Sequence, residues 1–173
     1  MKPNVPSFDV LLDSAQHSAV HLEMRDTYAV AEEQAHLALW DTGKWSLDKG
    51  REALEGWLAL VSRTVGRGVA MRRARIVSEP ASAYVAFEHF TTPLNLEAGE
   101  QVRWLPRRQA LDIPLPAADF WLIDEQLVRF NLFSGEGAAV EPEVSKDPIV
   151  AALCATAFEV VWDRAVPHDN YRI

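Results

Sequence analysis

The spacing of apolar residues changes along this chain between the two-residue period of a strand and the longer period of a helix. From residue 20 to residue 25 every second side chain is apolar, which predicts a half-buried strand. Residues 46–66 instead carry one apolar stripe at helical spacing, which predicts a single amphipathic helix that ends at Gly66. Alternating strands and helices of this kind favour a layered α/β domain.

The remaining elements complete one predicted domain, residues 1–173, with a mixed sheet flanked by helices. No internal repeat or linker divides the chain. Pro80 ends the second strand, and Asp147 with Pro148 opens the last helix. The other predicted helices are 7–17, 30–40 and 82–91; the other strands are 69–77, 101–105 and a hairpin of 119–124 and 127–133; residues 134–144 form a loop and 167–173 a polar tail.

Composition indicates an ordinary globular protein, since 49% of the 173 residues are hydrophobic and 24% are charged. It excludes a disordered tail, a collagen-like fibre and a disulfide-stapled miniprotein. Cys154 is the single cysteine and is expected to be an inert core residue. The N-terminal segment, with Pro3 and Pro6, lacks the features of a signal peptide, and no stretch is apolar enough to span a membrane. We therefore expect a cytoplasmic protein without membrane contact.

The basic residues are distributed unevenly. The chain has 17 basic and 25 acidic residues, for a net charge of −8, yet residues 63–78 hold five arginines and no acid. Arg103, Arg107 and Arg108 form a second cluster. Arginine presents a planar fork of donors that fits carboxylates and phosphates. The arginines therefore either pair with acids of this protein or a partner, or form an anion-binding surface, while the acidic whole chain argues against direct nucleic-acid binding.

Familiar catalytic and cofactor motifs are missing. The sequence has no phosphate-binding glycine loop, no G-x-S-x-G nucleophile elbow and no H-E-x-x-H zinc motif. The five histidines are not grouped with other ligands, so we expect neither a metal site nor a cofactor. We expect no catalysis, with an enzyme acting on a small anionic substrate through Glu23, Glu79 or Asp119 as the alternative.

An aromatic residue between the arginines suggests a ligand site. Trp104 lies between Arg103 and the pair Arg107 and Arg108, a combination that suits a planar or anionic ligand. In this hypothesis arginines hold the anionic group and aromatic rings pack against the apolar part of the ligand. The predicted ligand-binding residues are Arg73, Arg75, Glu79, Tyr84, Arg103, Trp104, Asp119 and Trp121.

Five stretches form a joint pattern, namely residues 11–14 (LLDS), 22–28 (LEMRDTY), 69–80 (VAMRRARIVSEP), 98–108 (AGEQVRWLPRR) and 119–124 (DFWLID). Together they resemble an actinobacterial family of proteins with a domain of unknown function, whose members are often encoded beside Xre-type helix-turn-helix regulators. The resemblance runs over nearly the whole chain. It implies a cytoplasmic accessory protein linked to regulation, with a helix-turn-helix regulator as partner, and it brings no catalytic residues.

The order of elements is also similar to that of the phospholipase-D-like α/β domains, some of which are non-catalytic sensor domains in regulators. The enzymes of that superfamily need H-x-K with a downstream aspartate for phosphohistidine chemistry. The residues two positions after the five histidines of this chain are Ala19, Glu23, Ala38, Thr91 and Asn170, and none is lysine. The resemblance therefore implies a phospholipase-D-like fold, or half of one, without the phosphotransfer chemistry.

These observations lead to one leading hypothesis and two alternatives. The leading hypothesis is a non-enzymatic regulatory accessory domain that binds a small anionic ligand or a partner regulator. The alternatives are an enzyme that acts on a small anionic substrate through carboxylates, and a protein-interaction module without a small-molecule ligand. Direct DNA recognition is not expected, because the chain has no recognition-helix motif and its net charge is negative.

Overall fold

Seven strands form one mixed sheet, which six α-helices flank in the computed structural model; the structure describes residues 5–173, except for the side chain of Glu32. Residues 1–4, which include Pro3, lie outside the described residues. The strands are β1 (Ser18–Glu23), β2 (Ala70–Val77), β3 (Gln101–Pro106), β4 (Asp119–Ile123), β5 (Leu127–Asn131), β6 (Glu143–Ser145) and β7 (Val166–Pro167). The helices are α1 (Phe8–Ser14), α2 (Ala31–Asp41), α3 (Leu47–Ala53), α4 (Glu55–Gly66), α5 (Ala83–Glu97) and α6 (Pro148–Arg164), with short 3-10 helices at Arg107–Gln109 and His168–Asn170.

The sheet has a parallel centre and antiparallel edges, in the order β6-β5-β4-β1-β2-β3-β7. β1 pairs in parallel with β2, and β2 with β3, whereas the other pairs are antiparallel. Parallel neighbours need a crossover connection; α2, α3 and α4 link β1 to β2, and α5 links β2 to β3. The predicted α/β class with a mixed sheet is confirmed.

The two faces of the sheet bury different chemistry. On one side, which we call the apolar face, Leu22, Ile76 and Phe120 pack against Phe158 of α6. Cys154 lies fully buried in the same core, where burial raises the pKa of its thiol to about 11 and keeps it inert. The opposite side, the polar face, is covered by α1, α4 and α5. Its buried polar strand residues are His21, Arg73, Arg75 and Asp119.

The expected half-burial of β1 is wrong. Residues 19–22 are all buried, so the polar side chain of His21 is enclosed as fully as its apolar neighbours. The reason is that α1 and α4 cover the side of β1 that the sequence pattern assigns to solvent. Alternation of polar and apolar residues therefore marks two buried faces here.

The expected single helix over residues 46–66 is also wrong, because α3 and α4 break at Leu54. α3 packs closely on α5, where a Cβ added to Gly50 would lie 2.9 Å from Leu94 Cδ1. α4 packs on α1 and β2 as well as on α5. The break at Leu54 separates the two helices, and α4 covers β2 after it.

The C-terminal tail is structured, which the polar composition of residues 167–173 did not predict. β7 pairs with β3, and the Tyr171 ring stacks on Trp104 with ring centroids 5.7 Å apart. Two further boundaries differ from expectation, since α5 continues past Thr91 to Glu97 and the predicted loop 134–144 leads into β6. Among the described helices, none is long and apolar enough to cross a bilayer.

Candidate functional site

A network of buried ion pairs occupies the middle of the polar face. Arg73 donates from Nε to Glu100 Oε1 at 2.8 Å and from Nη1 to Glu23 Oε1 at 3.2 Å. Arg75 donates from Nε to Glu23 Oε2 at 2.7 Å, and its Nη2 lies 3.1 Å from Glu88 Oε1. Each carboxylate faces a guanidinium, which is the condition under which charges are tolerated in a protein interior.

The ionisation of this network follows from burial and from the pairs themselves. Burial raises the pKa of Glu23, but the guanidiniums of Arg75 and Arg73 outweigh it and hold that pKa below its usual range. Burial raises the pKa of Glu88, and Arg75 offsets only part of the effect.

The other arginines of residues 63–78 are paired as well. Arg63 and Arg67 form ion pairs with Asp13, and Arg72 forms one with Glu159. The interpretation that these arginines pair with acids of the protein itself is therefore confirmed for all five. None of them is a free anion-binding group in this structure.

The expected convergence of Arg103 with Arg73 and Arg75 is wrong. Arg103 lies opposite Ala74 in the sheet, not opposite Arg73 or Arg75, so its side chain emerges on the apolar face. There its guanidinium lies 4.4 Å from the centroid of the Trp162 ring and donates to the Trp162 carbonyl, and Arg72 lies over the same ring at 5.3 Å. Arg103 and the pair Arg73 and Arg75 are therefore on opposite sides of one sheet and cannot hold one ligand between them.

Five of the eight predicted ligand-binding residues line one pocket on the polar face, and three do not. Besides Arg103, Glu79 is an exposed residue after β2 that accepts a hydrogen bond from Tyr171. Trp104 is fully buried between Arg75 and Tyr171, so its ring belongs to the core. The five that line one pocket are Arg73, Arg75, Tyr84, Asp119 and Trp121.

Two cavities that share six lining residues lie between the polar face, α2 and α5, and we describe them as the two lobes of one pocket. The polar lobe has a volume of about 270 Å³ and includes Tyr28, Asp119 and Arg129 in its lining. The aromatic lobe has a volume of about 280 Å³ and includes Trp45 and Trp57. Both lobes together approach the size of small-molecule sites. The residues that line both lobes are Phe8, His21, Glu23, Glu33, Tyr84 and Asn131.

Three buried side-chain atoms of the described residues lack a hydrogen-bond partner: His21 Nδ1, Trp45 Nε1 and Arg129 Nε. All three residues line the pocket. Burial lowers the pKa of His21 to about 3, so its ring is neutral. Asn131 Nδ2 lies 3.4 Å from His21 Nε2 and donates to it, which leaves the ring proton on Nδ1. The three atoms are thus N–H donors without an acceptor at hydrogen-bond distance, and the Glu23 carboxylate lies 3.9 Å from His21 Nδ1.

Two carboxyl groups of the polar lobe form no ion pair with any described residue. Asp119 Oδ2 accepts the hydroxyl of Tyr28 at 2.5 Å, and Glu33 Oε2 accepts the hydroxyl of Tyr84 at 2.5 Å. Burial raises the pKa of Glu33, and it raises the pKa of Asp119 to about 6. Arg129 is the opposite case, a cation without a described carboxylate partner, whose pKa burial lowers.

A larger groove of about 590 Å³ at the β4–β5 turn does not have these features. Its acidic residue Asp124 is already bonded, because its carboxylate accepts from the backbone N–H groups of Gln16, His17 and Ser18. None of the three unpartnered donors lines this groove. Among the side chains that the structure describes, no group of three His, Cys, Asp or Glu residues is arranged to hold a metal ion.

Reasoning from the sequence missed Arg129, Trp45 and Glu33, and it treated His21 only as a metal-ligand candidate. The sequence pattern could have identified Arg129, because it follows the apolar Val128 on β5 and successive strand residues point to opposite faces of the sheet. No comparable signal existed for Trp45 and Glu33, which come from a loop and from α2.

Residues 6–173 match the model of a protein family described as a domain of unknown function, DUF6879. This chain belongs to the DUF6879 family. The match confirms that nearly the whole chain is one such domain of unknown function. Among curated proteins, none matches this DUF6879 domain.

Two solved structures are similar to the DUF6879 domain in fold. One is Nuc from Salmonella typhimurium, a phospholipase D family member, with a TM-score of 0.50, 13% identity, and coverage of 95% of this chain and 88% of that chain. The other is TrmBL2, an archaeal chromatin protein with a novel mode of DNA binding, with a TM-score of 0.50, 15% identity, and coverage of 91% and 48%. The DUF6879 domain thus spans about half of TrmBL2. At these identities the likeness shows the fold alone, and the predicted similarity to phospholipase-D-like domains is confirmed.

Proposed function

We propose that this protein is a non-enzymatic binding domain whose two-lobed pocket takes a small molecule with an anionic group. The supporting observation is that His21, Trp45 and Arg129, which line one pocket, each have a buried side-chain N–H group without a hydrogen-bond partner. In this proposal a ligand with acceptor atoms supplies a partner to such a group. A negatively charged acceptor suits Arg129 best, because no described carboxylate pairs with its guanidinium.

In this proposal the anion-binding role belongs to Arg129 and not to Arg73 and Arg75. The latter two are bonded to Glu23, Glu88 and Glu100, so they form a fixed wall of the pocket. The aromatic side chains have the role that we predicted from the sequence, because rings of both lobes can pack against the apolar portion of a ligand.

A thermal-shift screen with small carboxylates, phosphosugars, nucleotides and acyl compounds tests the proposal. A ligand present at a hundred times its Kd stabilises the folded state by about 2.7 kcal/mol, which is readily measured as a rise in Tm. We expect Arg129→Met to remove this rise and Arg108→Met, which deletes an exposed arginine, to keep it. If no compound stabilises the protein, or if Arg129→Met responds like the wild type, the proposal is wrong.

The regulatory part of the proposal rests on the family resemblance. In this part of the proposal the chain is an actinobacterial, cytoplasmic accessory protein, and its partner is an Xre-type helix-turn-helix regulator. Co-purification with such a regulator tests it, and Arg72→Glu is the suitable surface variant because the Arg72–Glu159 pair is partly exposed. Arg75→Glu is unsuitable, since it would place a fourth carboxylate in the buried network. Loss of the regulator from Arg72→Glu, with ligand binding unchanged, would favour the protein-interaction module.

One observation favours an enzyme as the second candidate. Burial raises the pKa of Asp119 to about 6, a value that suits a general acid or base near neutral pH. Asp119 and Glu23 both line the polar lobe, whereas Glu79 lies outside it. Turnover of a compound found in the screen, lost in Asp119→Asn while binding persists, would replace the binding proposal with this one.

A further inference from the structure

The charges that remain unpaired in the polar lobe are of both signs. Arg73 and Arg75 are already paired with Glu23, Glu88 and Glu100. Outside these pairs, Arg129 contributes a cation without a described carboxylate, and Asp119 and Glu33 contribute carboxyl groups without a described cation. These opposite charges line one lobe and yet form no ion pair with each other. A ligand that carries both charges could pair with each of them at once.

The sheet register keeps the two kinds of charge a short distance apart. Arg129 lies opposite Trp121, which in turn lies opposite His21, so the donors of Arg129 and His21 belong to one row across the strands. Asp119 belongs to the next row, two residues further along β4, which is about 7 Å away at the rise of an extended strand. A molecule with its anionic and cationic groups a few bonds apart can reach both rows.

The aromatic lobe provides the place for the remainder of such a molecule. Trp45, Trp57 and Phe87 line it, and Trp121 contributes its ring beside that of Trp57 with centroids 5.8 Å apart. Rings of this kind pack best against another planar apolar group. The lobe shares His21 and Glu33 with the polar lobe, so an aromatic body and its polar head can occupy both at once.

We propose that the ligand is a small zwitterion with an aromatic body, whose carboxylate is bound by Arg129 and whose ammonium group is bound by Asp119 and Glu33. This inference rests on the proposed binding function and names the class of ligand for the same site. The hydroxyls of Tyr28 and Tyr84 hold the two carboxyl groups in position. The chemical class is that of an aromatic amino acid or a close derivative of one.

Isothermal titration of the full-length protein with matched compounds tests the inference. One series comprises L-phenylalanine, 3-phenylpropionate, which lacks the ammonium group, and 2-phenylethylamine, which lacks the carboxylate. A second series comprises L-tryptophan, indole-3-propionate and tryptamine. In at least one series we expect the zwitterion to bind more tightly than both singly charged analogues by about ten-fold or more, because each analogue lacks one of the two charge-assisted contacts.

Variants then assign each charge to its partner. Arg129→Met should lower the affinity for the zwitterion by about ten-fold or more and leave the affinity for the amine unchanged. Glu33→Gln should lower the affinities for the zwitterion and the amine and leave the affinity for the carboxylate unchanged. Arg108→Met removes an exposed positive charge and should change none of these affinities. Unfolding curves of each variant show that the fold is retained.

The outcomes separate this inference from the proposed function. If 3-phenylpropionate or indole-3-propionate binds as tightly as its zwitterion and depends on Arg129, the zwitterion inference is overturned and the anion-binding function stands. If the amines bind most tightly and Arg129→Met does not change any affinity, the zwitterion inference and the anion-binding function are both overturned. If no compound of either series binds, the inference is overturned, and the thermal-shift screen decides the proposed function by itself.

Discussion

Neighbouring residues of β1 enter two different interiors. Leu22 points into the apolar face, where α6 closes a core of aliphatic and aromatic side chains. Glu23 points into the polar face, where it bonds both Arg73 and Arg75. Both residues are enclosed by helices, yet one interior is held by non-directional packing and the other by hydrogen bonds of fixed geometry.

The difference explains why the pocket lies on only one side of the sheet. Apolar side chains can shift slightly to fill space, and the cluster around Phe158 consists of buried apolar residues packed on one another. Ion pairs fix the positions of their long side chains, and the atoms that find no partner, such as Arg129 Nε and His21 Nδ1, belong to residues that line open volume. Stability on the apolar face and ligand binding on the polar face are therefore separable by mutation.

The largest effect is expected from Glu23→Gln. This change leaves two buried guanidiniums sharing fewer carboxylates, and breaking a buried pair in this way lowers the free energy of unfolding by about 3–5 kcal/mol. The matched control is Glu159→Gln, which removes the partly exposed partner of Arg72 and should cost at most about 1 kcal/mol. Urea unfolding measures both values. Equal losses in the two variants would mean that the polar face does not depend on its ion pairs.

The next effect is expected from Leu22→Ala on the apolar face. Removing a fully buried leucine side chain should lower the free energy of unfolding by about 3 kcal/mol, through lost burial and the cavity that remains. Because the change leaves the pocket residues in place, ligand affinity measured below the Tm should not change. A lower affinity in Leu22→Ala would show that the two faces are coupled, contrary to the comparison.

Periodicity predicted the elements well, because each helix or strand depends mainly on residues close in sequence. It could not predict which face Arg103 would take, since that depends on register. Had β3 shifted by one residue against β2, Arg103 would have lain opposite Arg73 or Arg75. The pocket was still less predictable, because His21, Trp45 and Arg129 come from three separated segments that only the tertiary fold brings together.

A smaller effect concerns the pH dependence of the polar face. Burial raises the pKa of Asp119 to about 6, above its ordinary value of 3.8, so the folded state holds a proton that the unfolded state has lost. The contribution of Asp119 to stability is therefore present below about pH 4 and is lost as the pH rises through about 6.

Comparison with Asp119→Asn isolates this contribution, since asparagine does not titrate. The free energy of unfolding of the wild type, relative to the variant, should fall by about 2–3 kcal/mol between pH 4 and pH 7, because one pKa unit corresponds to about 1.4 kcal/mol. Asp112→Asn, at an exposed pair with Arg164, is the control and should show no such fall over that interval. A constant difference between wild type and Asp119→Asn would contradict the burial of an unpaired carboxyl group in the polar lobe.

The smallest effect, and the one with the opposite sign, is expected from Arg129→Met. Arg129 has a buried Nε without an acceptor and no described carboxylate partner, so its charge is held at a cost to the ligand-free protein. Methionine keeps much of the side-chain volume and removes the charge, which should raise the free energy of unfolding by about 1 kcal/mol. Arg108→Met, at an exposed position, should stay within about 0.5 kcal/mol of the wild type. Urea unfolding without ligand measures the difference, and a loss of stability in Arg129→Met would assign Arg129 to the fold, through its contacts with Phe8 and Asn131, and not to ligand binding.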